Sequence, residues 1–294
     1  MTGWADDGPA APTDRVAERR AAEQGRESAL LGIRAACAPA RIRLDIAYDG
    51  TDFSGWAVQP GRRTVQGVLQ DAITRIARVP VALTVAGRTD AGVHALGQVA
   101  HAEVPHVPEL RRLNGVLPPD VRVTAVTLVP AEFDARFSAL WRRYLYLIAD
   151  GPVNPLRRRH VLAWPRSLDV EAMAQAAARL VGEHDFAAFC HYRAGATSIR
   201  TVQTFDVIRD GDEIACTVQA DAFCHSMVRS LVGALIAVGE GRRDERWPAA
   251  LLSRTDRAGD VAVAPPQGLT LVAVGYPPDD ELSARAAETR RMRA

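Results

Sequence analysis

The sequence predicts an α/β fold of the α+β kind: two ferredoxin-like βαββαβ units whose mainly antiparallel sheets form a central cleft. Three observations carry that expectation. Short apolar stretches of period two alternate with longer stretches of helical period. The order strand, helix, strand, strand, helix, strand can be read in residues 41–137 and again, more loosely, in residues 138–277. Asp49-Gly50 and Asp210-Gly211 supply turn signals at strand ends. The two passes share element order without evident sequence identity, so the repeat is architectural.

Residues 1 to 40, rich in Ala, Arg and Glu and carrying Pro9 and Pro12, read as a flexible N-terminal extension without the pattern of a targeting peptide. RIRLDIAYDG, from Arg41, alternates apolar and polar residues and gives the first strand. A glycine-punctuated loop with Phe53, Trp56, Gln59, Arg62 and Arg63 leads to a helix over Val65 to Ala77, with Thr64 as N-cap, Pro80 beyond its end, and Val68, Leu69, Ala72, Ile73 and Ile76 on one face. Strands follow at Val81 to Val85 and Gln98 to Val104, then a short helix near Pro108 to Val116 and a strand from Val121 to Val129. In the second half, Arg142 to Ile148 alternates like a strand and Leu168 to Leu180 is a helix with Asp169 in its first turn. Thr201 to Ile208 and Glu213 to Gln219 form a hairpin, Phe223 to Val238 is a helix with a wide apolar face, and Thr270 to Tyr276 is the last strand. Residues 278 to 294 read as a C-terminal tail.

Composition removes several function classes. With 294 residues and 48% hydrophobic content the chain can bury real cores, and no apolar run approaches the roughly 18 residues of a membrane span. A cytoplasmic protein with no membrane partner is the expectation. All 36 basic residues are arginine, which excludes lysine Schiff bases and P-loop nucleotide chemistry. Arginine suits bidentate phosphate contacts and stacking on bases, although a genome rich in G and C gives the same bias. Cys37, Cys190, Cys216 and Cys224 show no C-x-x-C spacing and the seven histidines no metal-ligand spacing, so neither a disulfide nor a structural metal is expected.

The richest stretch is Val85 to His101, VAGRTDAGVHALGQVAH, a polar segment between two strands. It brings together Arg88, Thr89, Asp90 and His94, spaced by Gly87, Gly92 and Gly97, and glycine there lets backbone approach a ligand closely. A solvated turn capped by Asp90 has the same composition; the neighbouring segments argue for more.

Those segments are IAYDGTDFSGW, AGRTDAGVHALGQVAH, LNGVLPPDV, FDARFSA with RRYLY, HDFAAF, FCHSMVRSLVGALIAVG and GLTLVAVGYP. From Arg41 to Tyr276 the chain resembles the tRNA pseudouridine synthase I (TruA) family, most specifically in AGRTDAGVH. The resemblance implies isomerisation of uridine to pseudouridine at positions 38 to 40 of tRNA, in the anticodon arm, by a homodimer that needs no cofactor. It places the catalytic aspartate at Asp90, a base-displacing arginine at Arg88, an active-site tyrosine at Tyr144 and an aspartate-pairing arginine at Arg229. It also shows a departure: Ala57-Val58-Gln59 stands after Trp56, where the family commonly has Gln-Arg-Gln.

The chemistry agrees with those assignments. Pseudouridine formation breaks N1–C1′, turns the base and joins C5 to C1′, and a carboxylate suffices for it, by attack at C1′, attack at C6 or proton abstraction to a glycal. Asp90 must stay ionised in a dry site, so a cation is expected beside it; Arg229, set among Met227, Val228, Leu231 and Val232, is the candidate, a helix-surface arginine being the alternative. The base must leave its stack, at a cost of a few kcal/mol, and Arg88 can fill the gap while Tyr144 stacks on the extruded ring and relays the C5 proton. Arg62, Arg63 and Arg157-Arg158-Arg159-His160 are candidates for tRNA phosphates. His94, Gln98 and Asn114 read as structural polar residues. Two rivals remain. A noncatalytic RNA-binding module leaves the Arg88–Asp90 loop without a purpose. A hydrolase of aspartic-protease type needs Thr or Ser after the aspartate and a second acid, which Asp90-Ala91-Gly92 lacks.

Overall fold

The computed structural model describes residues 39–191 and 197–292, so the expected N-terminal extension lies, save for its last two residues, outside the described residues. From Ala40 onward the chain forms one compact unit. In the first half β1 (Ala40–Tyr48), α1 (Val65–Ala77), β2 (Thr84–Val85), β3 (His94–Val104), α2 (Leu110–Val116) and β4 (Val121–Leu128) reproduce the βαββαβ order. The second half repeats it with β5 (Trp141–Ala149), α3 (Val170–Ala178), β8 (Ile199–Asp210), β9 (Glu213–Ala220), α4 (Met227–Gly239) and β10 (Leu269–Gly275). Short strands β6 (Leu162–Ala163) and β7 (Gly182–Asp185) and a short helix α5 (Trp247–Ala250) are added to it.

The halves do not keep separate sheets: one sheet runs in the order β4-β1-β3-β10-β5-β9-β8-β7, with β2 on β3 and β6 on β5. All its pairings are antiparallel except β10 with β3 and β5 with β6. Strand β3 makes the junction. One of its edges pairs with β1 along its length, from Ala40↔Val104 to Tyr48↔Ala95. The other edge is divided: Thr84 and Val85 lie against His101 and Ala100 near one end, and Thr270 and Leu271 against His94 and Ala95 at the other. Between them Gly97 lets the β10 backbone come close, since a Cβ there would stand 2.3 Å from the Val272 carbonyl. Because β2 and β10 part at this point, the sheet opens between the halves, and the loop from Ala86 to Val93 crosses the opening.

Alternation places the core. Ile42, Leu44, Ile46 and Tyr48 of β1 are buried on the face that α1 covers with Val65, Leu69, Ala72, Ile73 and Ile76, and Thr64 caps α1 through the Gly67 amide. On the other face Phe133, Ala135, Val99 and Ala86 form a smaller cluster with Leu282. Leu282 opens α6 (Leu282–Met292), so the stretch read as a tail contains a docked helix, held by the Ser138 Oγ bond to the Leu282 carbonyl at 3.2 Å and by Arg290 to Asp134 at 3.0 Å. Two other elements are shorter than their sequence patterns. Val81–Leu83 make no strand pairing before β2. Helix α4 starts at Met227 and not at Phe223, because Ser226 is left-handed at φ +63°. Every residue of α4 except Arg229 is buried. Among the described residues no helix is long and apolar enough to cross a membrane.

Candidate active site

The Ala86–Val93 loop is fixed from three sides. From below, the Trp56 amide donates to the Thr89 carbonyl at 3.1 Å and the Gly92 amide to the Phe53 carbonyl at 3.3 Å. Gly55 makes that approach possible: its φ is +88°, and a Cβ there would lie 2.9 Å from the Thr89 carbonyl oxygen. From the sheet, Gln98 donates to the Gly87 carbonyl at 2.8 Å and to the Tyr48 hydroxyl at 3.3 Å, and that hydroxyl meets Thr89 Oγ1 at 2.7 Å. Burial pushes the Tyr48 phenol up to about 12, against the opposing hydrogen bonds, so it stays neutral, and either hydroxyl of the Tyr48–Thr89 pair can donate to the other. From the second half, buried Arg142 donates to the Ala86 carbonyl through Nη2 at 2.8 Å and Nε at 3.3 Å, and also to the Arg136 and Asp221 carbonyls at 2.7 Å each. Burial draws its pKa down while Tyr276, Tyr144 and Asp221 oppose the shift.

Held this way, Asp90 faces a cavity of about 1300 Å³ lined by both halves. Its Oδ2 receives Arg229 Nη1 at 3.2 Å and Ser226 Oγ at 3.2 Å; its Oδ1 lies 3.3 Å from His225 Nε2. Arg229 is aimed by its own backbone neighbours. Its Nε donates to the Ala264 carbonyl at 2.7 Å, and the Ala264 amide returns a bond to the Arg229 carbonyl at 3.0 Å. Gly233 lets that strap pass, since a Cβ there would stand 1.8 Å from the Ala262 carbonyl. The expected pairing of Asp90 with Arg229 is thus present. Both side chains keep about a fifth of their surface exposed, so the site is wetter than a closed core.

Tyr144, on β5, lines the same cavity and packs edge-on against Phe223 with ring centres 5.2 Å apart. Burial, then the nearby Tyr48 and Asp90, raise its pKa well above the ordinary phenol value, so it presents a neutral hydroxyl. Arg88 is exposed and lines the cavity two residues from Asp90. Arg62 and Arg63 lie outside the cavity wall. Arg63 is engaged, with a two-pronged bond to Asp120 at 2.7 and 2.9 Å and its guanidinium 4.0 Å over the Phe53 ring. Arg157 and Arg159 are paired likewise, with Glu213 and with Asp49 and Asp52. Ala57 and Gln59 stand at the cavity rim, and Val58 is exposed.

The polar residues read as structural are so placed. Asn114 bridges both backbone groups of Val123. His94 accepts from the Gly50 amide at 3.0 Å and donates to the Gln267 carbonyl at 3.2 Å, with burial favouring its neutral form. Asp49 and His160 bring potential metal-ligand atoms within 4.8 Å of His94, a grouping that spacing along the chain did not reveal. Both ring nitrogens of His94 are already bonded in this arrangement.

One sequence expectation is overturned: Cys190 and Cys224 form a disulfide, with Cα atoms 5.7 Å apart. Lack of C-x-x-C spacing did not exclude it, because the fold, and not local sequence, brings residues 34 apart to one side of the cavity. His225 and Ser226 were also missed as partners of Asp90. They lie just before α4, with Ser226 left-handed, so no helical spacing to Arg229 announced them.

A family model described as tRNA pseudouridine synthase matches residues 46–137 and 176–277. The chain is 61% identical over 261 residues to the tRNA pseudouridine synthase A of Frankia casuarinae, covering 86% of this chain and 95% of that one. It is 55% identical to the protein of the same name from Streptomyces griseus, over 86% of this chain and 94% of that one, and 51% identical to that of Mycobacterium leprae, over 86% and 96%.

The loop's dependence on Arg142 is measurable. Arg142→Met removes every hydrogen bond to the carbonyls of Ala86, Arg136 and Asp221, and is expected to lower unfolding free energy by about 3 kcal/mol or more in urea titrations. Arg143→Met, on the exposed face, should cost less than about 1 kcal/mol. Equal effects for the two variants would show that Arg142 does not anchor the loop.

Proposed function

The chain belongs to the tRNA pseudouridine synthase family and is thereby an isomerase acting on tRNA, and from that premise we propose that it converts uridine to pseudouridine in the anticodon arm, at positions 38 to 40, with Asp90 as the reacting carboxylate. One observation carries the assignment to Asp90. Its Oδ2 is occupied by Arg229 and Ser226, whereas among the described residues Oδ1 has only the exposed His225 before it, and Asp90 lines the cavity. A carboxylate so held is oriented and charge-balanced on one oxygen and available on the other, which suits a nucleophile or a base. Attack at C1′, attack at C6 and glycal formation all start from that oxygen. Each ends with C5 joined to C1′, the C5 proton released and N1 protonated, with no atom of the nucleoside lost.

A stacked uridine presents neither C1′ nor C6, so the reading includes base flipping. Arg88 supports it by position: exposed, cationic and two residues from Asp90, it fills the vacated space and bonds a phosphate. Tyr144, kept as a neutral phenol beside Phe223, offers the flipped ring an aromatic wall and passes the C5 proton on through its hydroxyl. Exposed Arg62 keeps its candidacy for tRNA phosphates; Arg63, committed to Asp120 and Phe53, does so only if that pairing opens. A homodimer belongs to the same proposal, since an anticodon arm seated in one cavity leaves the rest of a tRNA unsupported. A noncatalytic RNA-binding module leaves the three contacts on Asp90 without a use.

Asp90→Asn keeps size and hydrogen bonding but removes the reacting charge. Turnover on a tRNA transcript, followed by tritium release from C5, is expected to fall by roughly 10⁴ or more with binding little changed. Retained isomerisation in that variant would overturn the assignment. Arg88→Ala should differ in kind: both affinity and rate decline, and the dependence of binding on salt weakens by about one charge. Unaltered salt dependence in a filter-binding titration would remove Arg88 from the RNA contact.

A further inference from the structure

The cavity wall contains a cysteine pair to which the isomerisation gives no role. Cys190 follows the turn Ala187–Phe189, and Cys224 stands two residues before Ser226. Their bridge ties the segment after β7 to the segment before α4. A second link runs beside it: the His191 amide donates to the His225 carbonyl at 3.2 Å, and the two imidazoles lie 5.0 Å apart. The residues carried directly behind Cys224 are those that touch Asp90, His225 at Oδ1 and Ser226 at Oδ2. Ser226 holds a left-handed φ of +63°, a conformation a non-glycine residue keeps only when its surroundings over-determine it. The bridge supplies such a constraint from the adjacent chain.

We infer that Cys190 and Cys224 form a thiol-exchange site whose bridged state seats His225 and Ser226 on Asp90, and whose opening by a low-molecular-weight thiol slows the isomerisation. The inference rests on the reading of Asp90 as the reacting carboxylate. Cys190 is almost fully buried and Cys224 is half-buried in the cavity wall, so an incoming thiolate attacks Cys224 Sγ. The sulfur–sulfur bond breaks, Cys190 leaves as thiolate and takes a proton, and a mixed disulfide remains on Cys224. A second thiol resolves it, leaving two cysteine thiols on the protein and one small-molecule disulfide in solution, a transfer of two electrons and two protons. Closure runs in reverse and consumes that disulfide as oxidant. The surroundings favour thiolate chemistry, since His191, His225, Arg229 and Arg257 line the same wall. Cys216 differs: burial within β9 pushes its thiol up to about 12, and it takes no part. Cys–Cys bridges in a reducing compartment are typically transient and regulatory, which fits a bridge beside a reacting group better than one in a core.

The test uses the full chain equilibrated in oxidised or in reduced glutathione. After denaturation and alkylation, mass spectrometry is expected to find two modified cysteines of the four in the first sample and all four in the second. On a tRNA transcript, kcat should fall on the order of tenfold on opening, with KM moving less than about twofold, as for loss of an orienting contact. Cys190→Ser with Cys224→Ser should run at the opened rate whatever the redox buffer, and Cys216→Ser should respond like the parent. Should the double variant fail to fold, Cys224→Ser alone gives the same readout. Equal kcat in samples shown by mass to be bridged and opened would overturn the proposal, and so would failure of the bridge to form in oxidised glutathione. Asp90→Asn in the bridged state separates the two readings: if it still turns over, Asp90 is misassigned, whatever the cysteines do.

Discussion

The Asp90 carboxylate is carried by one half of the sheet and held by the other. Its loop hangs between β2 and β3, while Arg229 comes from the first turn of α4, and Ser226 and His225 from the two positions just before that helix, in the second half. An ionised group placed so has little freedom in either direction. Without Arg229 its Oδ2 would lose the guanidinium paired with it, and the loop anchors set its position against Arg229. Arg229 in turn is the one residue of a largely apolar helix that is not buried, and its Nε is spent on the Ala264 carbonyl. The remaining donors of that guanidinium are therefore directed to one side, where Asp90 stands.

The cleft that makes this possible follows from strand pairing. Two units of four main strands could have packed as separate sheets; here the edge of β3 is shared, with β2 at one end and β10 at the other. The parallel contact of His94 and Ala95 with Thr270 and Leu271 welds the halves, and the divergence beyond it leaves room for a substrate-sized cavity. His94 sits at the weld, bonded to Gly50 on one side and Gln267 on the other, which explains a histidine so near Asp90 that does not touch it. Arg142 secures the opposite lip by reaching from β5 to the Ala86 carbonyl. A loop that spans two lips must be tied to both, and the buried guanidinium does so with hydrogen bonds that cost little entropy because strand and rotamer are already fixed.

Much of this was legible in the sequence, for physical reasons that can be named. Period-two and helical-period stretches located the main elements, since burial on one face dictates them. Motif resemblance together with chemistry points to Asp90, Arg88, Tyr144 and Arg229, and the structure puts all four around one cavity. Arg142 was open to the same reasoning: it shares the buried face of β5 with Tyr144, Tyr146 and Ile148, and an arginine in that series demands acceptors. What stayed hidden depended on distant partners. Nothing local to Arg63 announces Asp120, 57 positions on, and nothing in the spacing of Cys190 and Cys224 announces their meeting. The start of α4 was misplaced because an apolar run continues through Phe223 and Cys224, whereas the left-handed turn at Ser226 is imposed by contacts outside the run.

Asp90 and Arg229 act as a unit across the two halves. A double-mutant cycle measures it: urea unfolding of the parent, Asp90→Asn, Arg229→Gln and the double variant. A coupling free energy of about 1 kcal/mol or more is expected, with the double variant less destabilised than the sum of the single ones. Additive losses, agreeing within about 0.3 kcal/mol, would contradict it and leave the carboxylate held by its loop alone.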